Sequence, residues 1–119
     1  MRFKDKIVLI TGSAGGIGFK TALDFGNEGA IVAVTDIDFE MAKKLSNRII
    51  SNGGVAEPFQ LDVTDLEQTK NVFETLNEKH GVCDIIFCNA GIREITPMLD
   101  LEFEEWKKVI DVNVNGVFL

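Results

Sequence analysis

Apolar residues in this chain fall alternately into short unbroken runs and longer stretches with a helical period. Ile7-Val8-Leu9-Ile10 is a run of the first kind, and its continuous apolar character reads as a strand buried on both faces. The strand is expected over Lys6–Ile10, followed by a helix over Ile17–Glu28 that closes near Gly29. Ala30–Thr35, with β-branched Ile31, Val32 and Val34, is a second buried strand. Asp38 stands where it can cap a helix whose Met41, Leu45 and Ile49 recur at i, i+4 and i+8. Asn52-Gly53-Gly54 stops that helix. Val55–Leu61 is a third strand, and Pro58 marks it as a sheet edge. Thr64 and Glu67 have the spacing of a capping box, opening a helix with Leu66, Val72, Phe73 and Leu76 on its apolar side and His80-Gly81 at its end. Asp84–Cys88 is a fourth strand. After a loop through Pro97, a last helix begins around Phe103–Trp106.

Alternation of strands and helices at these lengths implies right-handed crossovers and a parallel sheet. The predicted fold is α/β and doubly wound, with strand order 3-2-1-4, helices on both faces and a single domain over residues 1–119. In such a sheet the chain reverses direction between strands 1 and 4, and ligands bind there, beyond the carboxyl ends of the strands. The glycine-rich loop Gly12–Gly18 follows strand 1, and Asn89-Ala90-Gly91 follows strand 4. Both flank that crevice.

Composition narrows the function classes. Of 119 residues, 45% are hydrophobic and 26% charged, as in ordinary soluble globular domains. The net charge of −7 disfavours general attraction to nucleic acid or an anionic membrane. No apolar run approaches the roughly 20 residues of a membrane helix. The charged opening Met1–Lys6 runs straight into a strand, so no secretory leader is expected. Cys83 and Cys88 project from opposite faces of an extended segment and are expected to be reduced core thiols, which fits a cytoplasmic setting. Metal binding has no support. The single histidine, His80, is expected to cap a helix end or be solvated.

The chemistry starts at the glycine loop. Four glycines in seven residues, between a strand and a helix, let the backbone turn tightly and approach an anion. The first-turn amides of the helix have no internal partner and point at whatever lies before them. A tight turn without a ligand is the other reading of the same residues. Asp36 lies 18 residues after Gly18, at the end of strand 2, where a carboxylate accepts hydrogen bonds from ribose hydroxyls. It also suits the start of a turn. A 2′-phosphate there meets like charge with no adjoining Arg or Lys, so NAD is expected over NADP.

Thr11–Gly18, Asp36, Leu61-Asp62-Val63-Thr64, Cys88-Asn89-Ala90-Gly91 and Asp111-Val112-Asn113-Val114-Asn115-Gly116 occur in order at familiar spacings. Together they resemble the N-terminal, cofactor-binding half of a classical short-chain dehydrogenase/reductase, a Rossmann-type fold. With Gly15, the loop also fits the pattern of the extended branch, and Asn89-Ala90-Gly91 favours the classical one. The resemblance implies that Gly12, Ser13, Gly16, Ile17 and Gly18 cradle a pyrophosphate. It implies that Asp36 holds the adenosine ribose and that Ile37, Asp62 and Val63 surround the adenine, Asp62 facing the exocyclic amine. Asn89, Ala90 and Gly91 are implied to shape the nicotinamide-ribose side, with Asn89 as a clasp between strands the alternative. Asn113 matches the asparagine that supports a proton relay on a kinked helix, a simple structural hydrogen bond being the other option. Asn115-Gly116 is expected to loosen that helix.

The implied reaction is hydride transfer between a nicotinamide and a carbonyl or alcohol carbon of a small-molecule substrate, in a homo-oligomeric enzyme. Its acid–base group is a tyrosine whose pKa a lysine lowers. This chain has no tyrosine, and its last serine is Ser51. It is therefore expected to be truncated inside the helix that carries Asn113 and to be inactive by itself. The competing class is a non-catalytic nucleotide-binding or regulatory module.

Overall fold

The computed structural model describes residues 1–119. Strands β1 (Ile7–Ile10), β2 (Ile31–Asp36), β3 (Val55–Gln60) and β4 (Ile85–Phe87) form one parallel sheet in the order β3-β2-β1-β4. Helices α1 (Gly16–Asn27), α2 (Phe39–Ser51) and α3 (Leu66–Lys79) make the crossovers. After β4, a 3₁₀ turn at Met98–Asp100 leads to α4 (Phe103–Ile110). That helix continues through a π-helical segment, Asp111–Asn115, into α5 (Gly116–Phe118). The expected fold class and strand order are those observed.

Alternation along β1 divides the core. Val8 and Ile10 join Val32 and Val34 on one face, covered by Ala22 of α1 and Ala42, Leu45 and Ile49 of α2. Ile7, Leu9 and Ala33 point the other way, where Leu61, Val63 and, from α3, Val72 and Leu76 close over them. All four β1 residues are buried, as a central parallel strand requires. Pro58 lies on β3, an outer strand, as its missing N–H dictates.

Several local expectations shift. The buried face of α2 is Ala42, Leu45, Ser46 and Ile49, while Met41 is 40% exposed. Steps of four residues drift about 40° each around a helix of 3.6 residues per turn, so Met41 and Ile49 do not share a face. Leu66, at the first position of α3, is likewise exposed. Helix α3 is capped by Asp65, whose side chain accepts from the Gln68 N–H (3.0 Å), and not by Thr64. Thr64 is engaged with Asp62 instead. His80 ends α3, and its Nε2 lies 3.0 Å from Glu57 Oε2 on β3. Cys83 and Cys88 are both free. Cys88 is exposed and not in the core, while burial pushes the half-buried Cys83 thiol up.

Candidate functional site

A cavity of about 340 Å³ opens at the carboxyl ends of the strands. Every strand sends its following loop to the rim. Gly12 and Gly15 come from the β1–α1 loop, Asp36 and Ile37 from the end of β2, and Leu61, Asp62 and Val63 from beyond β3. Asn89, Ala90, Gly91 and Ile92 follow β4, and Val112 reaches in from the π-helical segment. Two carboxylates line the wall, and no Lys, Arg or His does.

The glycine loop is built for close approach. Gly12 (φ 60°) and Gly16 (φ 57°) occupy left-handed backbone that suits glycine. A Cβ on Gly12 would stand 2.7 Å from Ala90 Cα, so the loops that follow β1 and β4 pass in close contact there. A Cβ on Gly15 or Gly16 would meet nothing within 4 Å, which leaves open space in front of the helix. Helices α2 and α3 are capped by Asp38 and Asp65, and at α4 Glu105 returns its carboxylate to the Glu102 N–H. Helix α1 has no side-chain cap and no acidic residue in its first turn. The N–H groups of Gly16, Ile17 and Gly18 find no acceptor in the protein. Unpaired amides beside open space suit an anion.

Within that loop the expected roles separate. Ser13 is wholly buried, and both its N–H and its hydroxyl donate to the Thr35 carbonyl at 3.0 Å. Its donors face β2, so Ser13 braces the loop from behind. Ile17 is 74% exposed, which leaves only its N–H for the cradle. Gly18 is buried, where a Cβ would collide with Asn89 Nδ2 at 2.5 Å.

Asp36 touches the loop directly. Its Oδ2 accepts from the Ala14 N–H and its Oδ1 from the Asp38 N–H, both at 3.0 Å. Each carboxylate oxygen still has acceptor capacity left, and Asp36 lines the cavity. Asp62 is arranged similarly: Oδ1 accepts from the N–H and hydroxyl of Thr64, its own N–H donates to Gln68 Oε1, and Oδ2 has no protein partner.

At the β4 side, Asn89 Nδ2 donates to the carbonyls of Thr11 (3.1 Å) and Gly12 (3.0 Å). The N–H groups of Asn89 and Ala90 both donate to Thr11 Oγ1. The Asn89 side chain thus clasps the ends of β1 and β4, and Asn89 also lines the cavity. Asn113 does not line the cavity; it grips a residue that does. Its Oδ1 accepts from the Ile92 N–H and its Nδ2 donates to the Ile92 carbonyl, each at 2.8 Å. Sequence reasoning, which expects the loop from Ile92 to Met98 to form one wall, missed Leu61 and Val112 as wall residues. Apolar side chains carry no chemical signal, and only the fold brings them together. Arg93, whose sequence neighbours suggest a surface ion pair with Glu94 or another nearby residue, forms none.

The family model described as "short chain dehydrogenase" matches residues 6–119. The chain is 41% identical over 115 residues to "Probable oxidoreductase EphD" of Mycobacterium tuberculosis, covering 97% of this chain and 19% of that protein. It is 41% identical over 118 residues to the 3-oxoacyl-[acyl-carrier-protein] reductase FabG of Thermotoga maritima, covering 99% and 48%. A crystal structure of a short-chain type dehydrogenase/reductase from Mycobacterium marinum superposes with a TM-score of 0.93 at 38% identity, covering 98% of this chain and 47% of that one. The chain thus spans at most about half the length of these relatives.

Proposed function

We propose, because this chain belongs to the short chain dehydrogenase family, that it forms the NAD-binding domain of an oxidoreductase. The reaction is hydride transfer between a nicotinamide and a carbonyl or alcohol carbon of a small molecule. Members of the family use nicotinamide cofactors, and the residues present fit one. A helix N-terminus with three unpaired amides faces space that a Cβ at Gly15 or Gly16 would leave open. When bound, the cofactor supplies the carbon that gives or takes the hydride.

The chain's own residues bind and orient it. The Gly16, Ile17 and Gly18 amides take the charge of the pyrophosphate, and Gly12 lets β4 come close beside it. Asp36 accepts from the ribose hydroxyls. Ile37 and Val63 flank the adenine, with Asp62 Oδ2 as acceptor for its amine. Asn89, Ala90 and Gly91 form the wall of the nicotinamide-ribose side, and Asn113 acts on that wall through Ile92. A cytoplasmic homo-oligomer completes the reading, supported by the two free thiols and by the exposed apolar residues Phe103 and Trp106 on α4.

The observation that carries the choice of NAD is Asp36 on a wall that holds two carboxylates and no cation. A 2′-phosphate at that wall meets repulsion, whereas free hydroxyls meet acceptors. Calorimetric titration of the chain tests this: NAD binds more tightly than NADP, and Asp36→Ala narrows the gap mainly by weakening NAD. Equal affinities for the two in the parent chain would remove the preference, and no binding of either would remove the cofactor.

A further inference from the structure

The helix that begins at Phe103 does not reach its last turn with ordinary geometry. Over Asp111–Asn115 it is π-helical, and the Gly116 N–H reaches back five residues to the Asp111 carbonyl. Such one-turn bulges are rare and need local support. This one does two things at the cavity. It presents Asn113 to both backbone groups of Ile92, and it seats Gly116 so close to Val63 that a Cβ would lie 2.6 Å from Val63 Cγ2.

A second set of bonds spans the bulge. Asp111 Oδ2 accepts from Lys107 Nζ (2.8 Å), one turn before it, and Asp111 Oδ1 accepts from Asn115 Nδ2 (2.9 Å), at its far end. An exposed i,i+4 ion pair by itself contributes little. Here the second oxygen continues the link, so one carboxylate straps α4 to the end of the π-helical segment. The Lys107 bond, foremost, holds the Asp111 carboxyl below its usual range, and the same bond raises Lys107. Both partners are charged at neutral pH.

We infer that Asp111 is a positioning residue, whose carboxylate bridges Lys107 and Asn115 and so fixes the π-helical turn that aims Asn113 at Ile92. Through Ile92 and Val112 it sets one wall of the cavity. The consequence for nucleotide binding rests on the proposed function, while the strap itself does not.

Amide hydrogen exchange of the full chain without nucleotide, read residue by residue by NMR, tests the inference. Asp111→Ala is expected to speed exchange at the Ile92 N–H by about tenfold or more while Val8 and Val32 keep their protection. Asp111→Asn, which keeps one acceptor, restores part of the Ile92 protection. Parent-like Ile92 exchange in Asp111→Ala, or no difference between the two variants, overturns the inference. Should Asp111→Ala fail to fold, Lys107→Met and Asn115→Ala each remove one bond. Faster Ile92 exchange in both supports the strap, and anything less overturns it. Titration of the parent chain with NAD is scored separately. Loss of Ile92 protection in a chain that binds no NAD keeps the strap and rejects the cofactor. Binding of NAD with unchanged Ile92 protection in the variants does the reverse.

Discussion

Ser46 and Ser13 are both buried serines, and only their partners tell them apart. Ser13 donates to the Thr35 carbonyl, whereas the Ser46 hydroxyl, on the face of α2 that packs on the sheet, has no partner. A buried unpaired hydroxyl is unfavourable, and alanine is the better helix former. Ser46→Ala should therefore raise stability by about 1 kcal/mol in urea unfolding. Ser13→Ala should lower it by about 1 kcal/mol. Gly116 opposes helix propensity with packing. Alanine gains about 1 kcal/mol as a helix former, but its Cβ would overlap Val63. Overpacking of that kind costs about 1–3 kcal/mol. Gly116→Ala should be net destabilising by the same measurement. None of these distinctions is legible in residue type. Position in the glycine loop points Ser13 at a phosphate, yet the path of the backbone turns it toward β2.

At the scale of elements, apolar runs and turn residues were enough to place every strand and long helix, because periodicity reflects burial directly. Helix starts were less legible where acceptors crowd together. Thr64, Asp65 and Glu67 all suit a first turn, and the choice of Asp65 follows from Thr64 being held by Asp62. Strand β4 shows a different dependence, since it is only three residues long. The residue before it, Asp84, accepts from the Ile7 N–H (2.9 Å) and Lys6 Nζ (3.2 Å), tying the start of β4 to β1. The Ile7 N–H, foremost, and then Lys6 hold the Asp84 carboxyl below its usual value. A depressed folded pKa contributes stability that is complete above the unfolded value, about 3.9, and is lost as pH falls through the folded one. The parent chain should therefore lose more stability than Asp84→Asn between about pH 5 and pH 2, where the group protonates. Urea midpoints across that range measure the difference, and parallel curves would contradict it.

For the whole molecule, the order 3-2-1-4 decides which sequence motifs meet. Residues as far apart as Gly12 and Val112 share one cavity because β1 and β4 are neighbours and the last helix returns over their ends. The polar members of that site were readable from motif and spacing, and Ile37, Val63 and Ala90 from the resemblance, while Leu61 and Val112 were not, since an apolar wall is defined by what the fold encloses. The residues gathered there include no proton donor for the reaction. Hydride transfer to a carbonyl needs a proton donor at the oxygen, and the family resemblance assigns that work to a tyrosine activated by a lysine. A phenol has an ordinary pKa of about 10 and needs such a neighbour near neutral pH. The 119 residues contain no tyrosine, and the cavity wall carries no lysine, histidine or other acid besides Asp36 and Asp62. Both carboxylates are already hydrogen-bonded to backbone. This polypeptide by itself should therefore bind NAD, as seen by calorimetry, without catalysing reduction or oxidation of simple ketones and secondary alcohols, as followed by nicotinamide absorbance. Sustained turnover by the purified 119-residue chain, unchanged after removal of contaminating dehydrogenases, would show that proton transfer at this site needs no tyrosine.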